Sequence, residues 1–178
     1  MLTISIGFGF SNVSFFVQTD INKKEMAQVA SQVSLSMIEI AALSHSSERS
    51  RTLVKAIDLP TDISGRGYYV KLIDETNQSK GYSVEVSLVS QSGIKINSFL
   101  PFNSISNQTV VVTSNQTWPG TSCSVSLYVV PCSKPEVTYI HVLNGNLEAV
   151  VFGGSNPVVW AFEDLGISYI GIGTRDKS

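Results

Sequence analysis

The chain is 178 residues long, 43% of them hydrophobic and 15% charged, with a formal net charge of −2. A charged fraction well below the roughly 25% of average soluble proteins, beside ample apolar material, excludes intrinsic disorder. The missing basic surplus argues against a nucleic-acid binder. Hydroxyl and amide side chains fill the place of charge, serine alone occurring 27 times, as suits a secreted or cell-surface protein.

Residues 1–17 (MLTISIGFGFSNVSFFV) carry no charged side chain, and the first ionisable one is Asp20. A membrane span needs about 20 apolar residues. This run is slightly short of that and is diluted by Ser5, Ser11, Asn12 and Ser14. It lacks the basic start of a secretory signal, the first lysine being Lys23. The pair Lys23–Lys24 on its C-terminal side disfavours export of the C-terminal part by the positive-inside rule. Three readings are open: the end of a longer hydrophobic helix that begins upstream, an element packed against partner subunits, or the first strand of the domain.

Beyond it, Met26, Val29, Val33, Met37 and Ile40 are spaced 3, 4, 4 and 3 apart, the stripe of an amphipathic helix. Gln28, Gln32 and Glu39 fall on the wetter side. The spacing predicts a helix over 20–43, with Asp20 as its N-cap, fading in the polar stretch Ser44–Ser50. Either the stripe packs on the protein's own sheet, or helix and hydrophobic run form one rod, half of it buried in a membrane or filament.

From Thr52 onward the period changes to two. Tyr82 to Leu88 alternates strictly, as in a half-buried antiparallel strand. Similar runs lie at 52–58, 67–73, 94–100, 108–114, 123–130, 136–143, 147–152, 157–162 and 167–172. Breakers separate them at Gly65-Arg66-Gly67, Ser92-Gly93, Pro119-Gly120, Asn144-Gly145 and Gly153-Gly154, and Asn144-Gly145 is the strongest hairpin signal. Short strands at this spacing, joined by hairpins rather than helical crossovers, predict a mainly β fold. The expected architecture is an antiparallel β-sandwich, immunoglobulin-like or related, preceded by a long N-terminal α-helix. Residues 1–50 form the hydrophobic segment and amphipathic helix, and 51–178 the β-sandwich head.

Cys123 and Cys132 are the only cysteines. Their spacing, with only His45 and His141 to help, matches neither a zinc knuckle nor a Cys-x-x-Cys redox motif. A disulfide closing a strand and its following turn fits better and would contribute roughly 2–3 kcal/mol in the chain-entropy model. Two unpaired thiols are the alternative. Four Asn-x-Ser/Thr triplets begin at Asn12, Asn77, Asn107 and Asn115. Asn77, Asn107 and Asn115 fall in predicted turns or strand ends and are the glycosylation candidates, although so Ser- and Asn-rich a chain generates some triplets by composition alone.

Catalytic candidates are few. His45 follows the helix in a polar loop, and His141 sits in a predicted strand, where a histidine is more often a packed or surface residue than a base. No Gly-x-Ser-x-Gly elbow exists. Gly7-Phe-Gly9-Phe and Gly171-Ile-Gly173 lack the third glycine of a dinucleotide loop. Asp58, Asp62, Asp74 and Glu75 form no EF-hand loop, and Glu163-Asp164 reads as the close of a strand. The expectation is a protein that is not an enzyme and carries no metal or cofactor. Phe99, Leu100, Phe102, Trp118 and the Trp160–Phe162 and Ile167–Ile172 runs are mostly core, and any surplus at strand edges would suit subunit packing.

The order of these features resembles a known family. The amphipathic segment Gln-Val-Ser-Leu-Ser-Met-Ile-Glu-Ile is followed by Ile57-Asp-Leu-Pro60 and by Ile63-Ser-Gly-Arg-Gly-Tyr-Tyr-Val-Lys-Leu72. This layout resembles archaeal type IV pilin-like proteins, in which a leucine-proline step and a Gly-Tyr strand open the β head after the helix. The similarity covers residues 1–90 in layout and is specific around 57–72. It implies a structural protein at the cell surface, anchored in the membrane by its hydrophobic helix and then polymerised with that helix lining a filament core. On that reading the N-terminal run, with Phe8, Phe10, Phe15 and Phe16, and the stripe Met26, Val29, Val33, Met37 and Ile40 form the assembly element. The partner is then the chain itself or other envelope proteins, with the membrane a candidate through the N-terminal segment. The alternative functions are a solitary anchored or secreted β-sandwich that binds a surface layer, carbohydrate or envelope protein, and an enzyme whose site the sequence does not pair.

Overall fold

The computed structural model describes residues 2–45, 52–75, 81–104, 109–113, 122–125, 128–131, 140–141, 149–164 and 167–175. Helix α1 runs unbroken from Leu2 to His45, 44 residues, or about 66 Å at 1.5 Å per residue. No proline or glycine lies between Ser11 and His45 to interrupt it, and Gly7 and Gly9 are absorbed near its start. The hydrophobic run and the amphipathic segment are therefore one element, which overturns the first-strand reading of 1–17. Asp20, expected as an N-cap, sits inside the helix. The amides that a cap would satisfy there are already bonded within the helix.

Among the described residues eleven strands follow: β1 (Thr52–Ala56), β2 (Tyr68–Glu75), β3 (Gly81–Leu88), β4 (Gln91–Leu100), β5 (Thr109–Val111), β6 (Ser122–Val125), β7 (Tyr128–Pro131), β8 (Ile140–His141), β9 (Val150–Phe152), β10 (Pro157–Asp164) and β11 (Ile167–Arg175). One sheet has the order β1-β10-β11-β5, with β8 also on β11; the other runs β4-β3-β2-β9. All pairings within them are antiparallel except β11 with β5, which is parallel. The fold is thus mainly β with an N-terminal helix. Glu163 and Asp164 end β10, as the sequence suggests.

Two details depart from the sequence pattern. The run 123–130 is two strands, β6 and β7, paired from Ser122↔Pro131 to Val125↔Tyr128. No glycine, proline or asparagine lies between Cys123 and Val130, so no breaker in the sequence reveals the turn. Ser92-Gly93 is not the break between β3 and β4, because the chain turns at Val89–Ser90. The glycine instead marks an irregularity: the register steps from Ser87↔Lys95 to Leu88↔Gln91, leaving Ser92–Ile94 as a bulge in an edge strand. Gly153-Gly154 does form a turn, with Gly154 at φ 78°. At Gly153 a Cβ would lie 2.4 Å from the ring of Tyr68. Pro119-Gly120 and Asn144-Gly145 lie outside the described residues.

On one side the two sheets are tied together. Ala149 accepts from the Leu72 amide and donates to the Thr113 carbonyl, both at 3.1 Å; Val112 N–H, which reaches Ile170 O at 2.8 Å, extends the β5–β11 pairing within its own sheet. The opposite side, between edge strands β4 and β1, is where α1 lies, packed on β4 and β3 of one sheet and on β10, β11 and β1 of the other. The helix therefore completes the core that the two sheets leave open. Met26, Val29, Ala30, Val33, Met37, Ile40 and Ala41 enter one hydrophobic cluster with Val84, Val86, Leu88, Val158, Trp160, Ile170 and Ile172. Trp160 is anchored by its indole N–H, which donates to Ile172 O at 3.1 Å.

Candidate assembly surface

The stripe Met26, Val29, Val33, Met37 and Ile40 is between 0% and 3% exposed, all against this chain's own sheets. In the folded chain these side chains build the head and are not a surface. The serines interleaved with them on the buried side give this interface an unusual polarity. Asn22, Ser34, Ser36 and Ser44 are all buried. The Ser44 hydroxyl donates to Ala41 O at 2.8 Å and lies 3.1 Å from the Ser168 hydroxyl, whereas Ser34 Oγ and Ser83 Oγ have no hydrogen-bond partner among the described residues.

The outer side of the same helix is apolar in a different place. Phe16 (67% exposed), Val17, Ile21, Leu35 (63%) and Leu43 (53%) face solvent. Exposed apolar residues occur singly on ordinary surfaces, as Leu35 and Leu43 do here beyond the exposed Lys24, Gln28 and Ser31; Phe16, Val17 and Ile21 instead stand together at the end of the run with no charge before Asp20, an exposure of the kind that marks contact with a partner or membrane. Leu35 and Leu43 fall between the stripe positions, on what the sequence marks as the wet side, where apolar spacing gives no sign of them. Phe8, Phe10 and Phe15 lie on the first half of α1. Among the described residues one helix, over Phe16–Ser44, is long and apolar enough to cross a membrane, and half of that window is buried inside the protein. Its buried half already serves the head. The stretch from Leu2 to Ile21, ahead of the buried Asn22, spans about 30 Å, the thickness of a bilayer's hydrocarbon core.

Beside α1, the loop after β1 forms a groove of about 470 Å³ lined by Glu25, Gln28, Val29 and Gln32 of the helix and Asp58, Pro60, Asp62, Ile63 and Ser64 of the loop. Its walls are stitched together: Gln32 Nε2 donates to Asp58 O at 2.7 Å, and Ser64 Oγ donates to Glu25 Oε2 at 3.0 Å. Asp62 Oδ1 accepts from Gly65 N–H at 2.7 Å, which holds Ser64 in a left-handed conformation, φ 50°. Among the described residues, three carboxylates and no cation line the groove. Below it, Tyr68 donates to Pro60 O at 2.6 Å, and burial, aided by the Asp62 charge, pushes its hydroxyl up to about 12. Further along, Lys55 of β1 pairs with Glu39 of α1, pinning the helix to the edge strand. Across β3 and β4, Lys95 donates to both oxygens of the buried Glu85 at 3.0 and 3.1 Å. That hydrogen bond and the carboxylate charge raise the ammonium above its usual range.

The remaining candidate residues are scattered. His45 ends α1, and His141 of β8 pairs with Thr174 of β11. Among the described residues no cluster of histidine, cysteine and carboxylate could hold a metal. Cys123 stands opposite Val130 in the β6–β7 hairpin; Cys132 and the sequon residues Asn77, Asn107 and Asn115 lie outside the described residues, as does Trp118. Phe99 is exposed on β4, while Leu100 and Phe102 are core. No protein family, curated protein or solved structure matches the chain.

Proposed function

We propose that this chain is a structural subunit of the cell surface that assembles into an extracellular pilus-like filament through the first half of α1. The observation that carries this reading is the division of labour within one unbroken helix: the half from Asn22 to Ser44 completes the β head, and the half before it carries no charge until Asp20 and leaves Phe16, Val17 and Ile21 exposed at its end. The resemblance of residues 57–72 to archaeal type IV pilin-like proteins points the same way. A half-helix of this kind is stable in a bilayer, where every backbone group bonds within the helix. It is also stable in a bundle of identical helices. Exchange between the two requires no charge to be moved out of water, and each large side chain kept from water contributes about 1.5–3 kcal/mol. Asp20, Lys23, Lys24 and Glu25 mark the level at which the rod meets the aqueous phase. The β head then faces the medium with its hydroxyl-rich strands, and Cys123–Cys132 and the three sequons belong to that exported part as its disulfide and glycan acceptors.

Electron microscopy of the surface fraction sheared from native cells, with an antibody against residues 52–178, tests this. Labelled filaments are expected. Label confined to the envelope without filaments would replace the filament reading with that of an anchored β-sandwich binding module.

A further inference from the structure

Within the half of α1 that is packed in the head, the solvent side presents Ala27, Gln28, Ser31, Leu35, Ala42 and Leu43 as exposed residues. Together with exposed Lys24 and Glu39, these residues carry on from Val17 and Ile21 alongside the β head as a mixed face, in which single leucines stand among alanine and polar side chains. Charges flank that face unevenly. On one side lies the acidic groove, with Glu25 and Gln32 on the helix and Asp58 and Asp62 on the loop. At about 100° per residue, Lys23 projects roughly 170° away from the middle of the groove's helical wall, and Lys24 lies between them on the outer face. Both lysines are exposed, and neither holds an ion pair among the described residues. Asp20, one turn before Lys24, is also exposed there, so the basic flank carries net +1 against the groove's −3.

Resting on the filament reading, we infer that the exposed face of α1 is covered by a second copy of the chain, parallel and displaced along the helix axis, with Lys23 and Lys24 of one copy seated at the Glu25–Asp58–Asp62 groove of the next. The two complementary surfaces are different patches of the same molecule, so the contact is heterologous: each copy that fills a groove leaves its own groove open. The lysine pair and the helical wall of the groove are about five residues apart, which sets a stagger of about 7–8 Å between neighbours. A repeated contact with a translation along its axis cannot close into a ring and yields an open filament. A two-fold pairing of the same faces would instead stop at a dimer.

The test is charge exchange in the full-length chain, released from detergent and followed by sedimentation and electron microscopy. Lys23→Glu with Lys24→Glu should raise the concentration needed for polymerisation about tenfold or more, as should Glu25→Lys with Asp58→Lys, because attraction becomes repulsion at each site. Carrying all four substitutions in one chain should restore assembly. Carbodiimide coupling in a mixture of isotopically light and heavy chains should join Lys23 or Lys24 to Glu25, Asp58 or Asp62 across copies. Polymers whose formation ignores both reversals, a product that stops at dimers, or a four-fold variant no better than the double variants would each overturn the inference while leaving the filament reading intact. A wild-type chain that stays monomeric under all conditions would overturn both. Unchanged circular dichroism of the reversed variants separates loss of assembly from loss of folding.

Discussion

If the second half of α1 is core and its outer side is interface, two neighbouring helix positions should answer in opposite ways. Met37 is fully buried between the sheets, and Leu35, two residues earlier, is 63% exposed. Met37→Ala removes three heavy atoms from a fully packed site, and substitutions of this class cost 2–5 kcal/mol through lost transfer energy and the cavity left behind. Because the buried stripe is shared with Trp160, Ile170 and Ile172, the cavity cannot collapse without moving strands of the sheet, which places the expected value at about 3 kcal/mol. With a urea slope of about 2 kcal/mol/M, the unfolding midpoint should fall by about 1.5 M. Leu35→Ser should leave that midpoint within about 0.3 M, as for a surface position, yet weaken polymerisation. The assay is urea unfolding of the full chain held monomeric in a mild non-ionic detergent, followed by tryptophan fluorescence. An unchanged midpoint for Met37→Ala would show that the helix does not complete the head, and an equal loss for Leu35→Ser would show that its outer side is not free.

Other outcomes rest on single sites. Gly171→Ala places a Cβ 2.4 Å from Trp160 Cζ2, and since that indole is held by its bond to Ile172 O, thermal unfolding should show a loss of about 1–3 kcal/mol. Ser34→Ala removes a buried hydroxyl without a partner among the described residues and should stabilise the chain by about 1 kcal/mol in the same urea assay; a loss of that size would mean that the hydroxyl is satisfied. Tyr68 has its hydroxyl raised to about 12, so above pH 10 the unfolded chain releases a proton that the folded chain retains. Stability from this group is complete below pH 10 and is lost as pH rises towards about 12, on the order of 2 kcal/mol. Tyr68→Phe should flatten the dependence of the urea midpoint on pH across that window, and an unaltered slope would assign it to other groups. Finally, intact mass with and without reductant should show the two-hydrogen difference of a Cys123–Cys132 disulfide, and thiols that react with alkylating agent without prior reduction would remove that pairing.

The strands were legible because period two leaves little choice: Tyr82, Val84, Val86 and Leu88 must share one face, and β3 forms there, but it is not the half-buried strand that alternation predicts, because Ser83, Glu85 and Ser87 of its other face are buried as well. The amphipathic stripe was legible for the same reason at period 3.6. What periodicity does not carry is the partner of a buried face, so the stripe could serve either the head or a polymer until the open side between β4 and β1 was seen. The unbroken start of α1 was hidden because Gly7, Gly9 and the serines are poor helix formers in water. Leu35 and Leu43 were hidden by the opposite effect, a helical register that sets isolated leucines among polar neighbours. The acidic groove joins Glu25 to Asp58 and Asp62 across the turn out of α1 and β1, a proximity made by tertiary folding with no trace in local spacing.

The central claim is that α1 couples a folded β head to a polymer. Purified full-length chain and a variant lacking residues 1–21 should be compared by sedimentation and electron microscopy after detergent removal. Filaments are expected from the first and a folded monomer from the second. Monodisperse monomers from both, with the intact helix present, would contradict it.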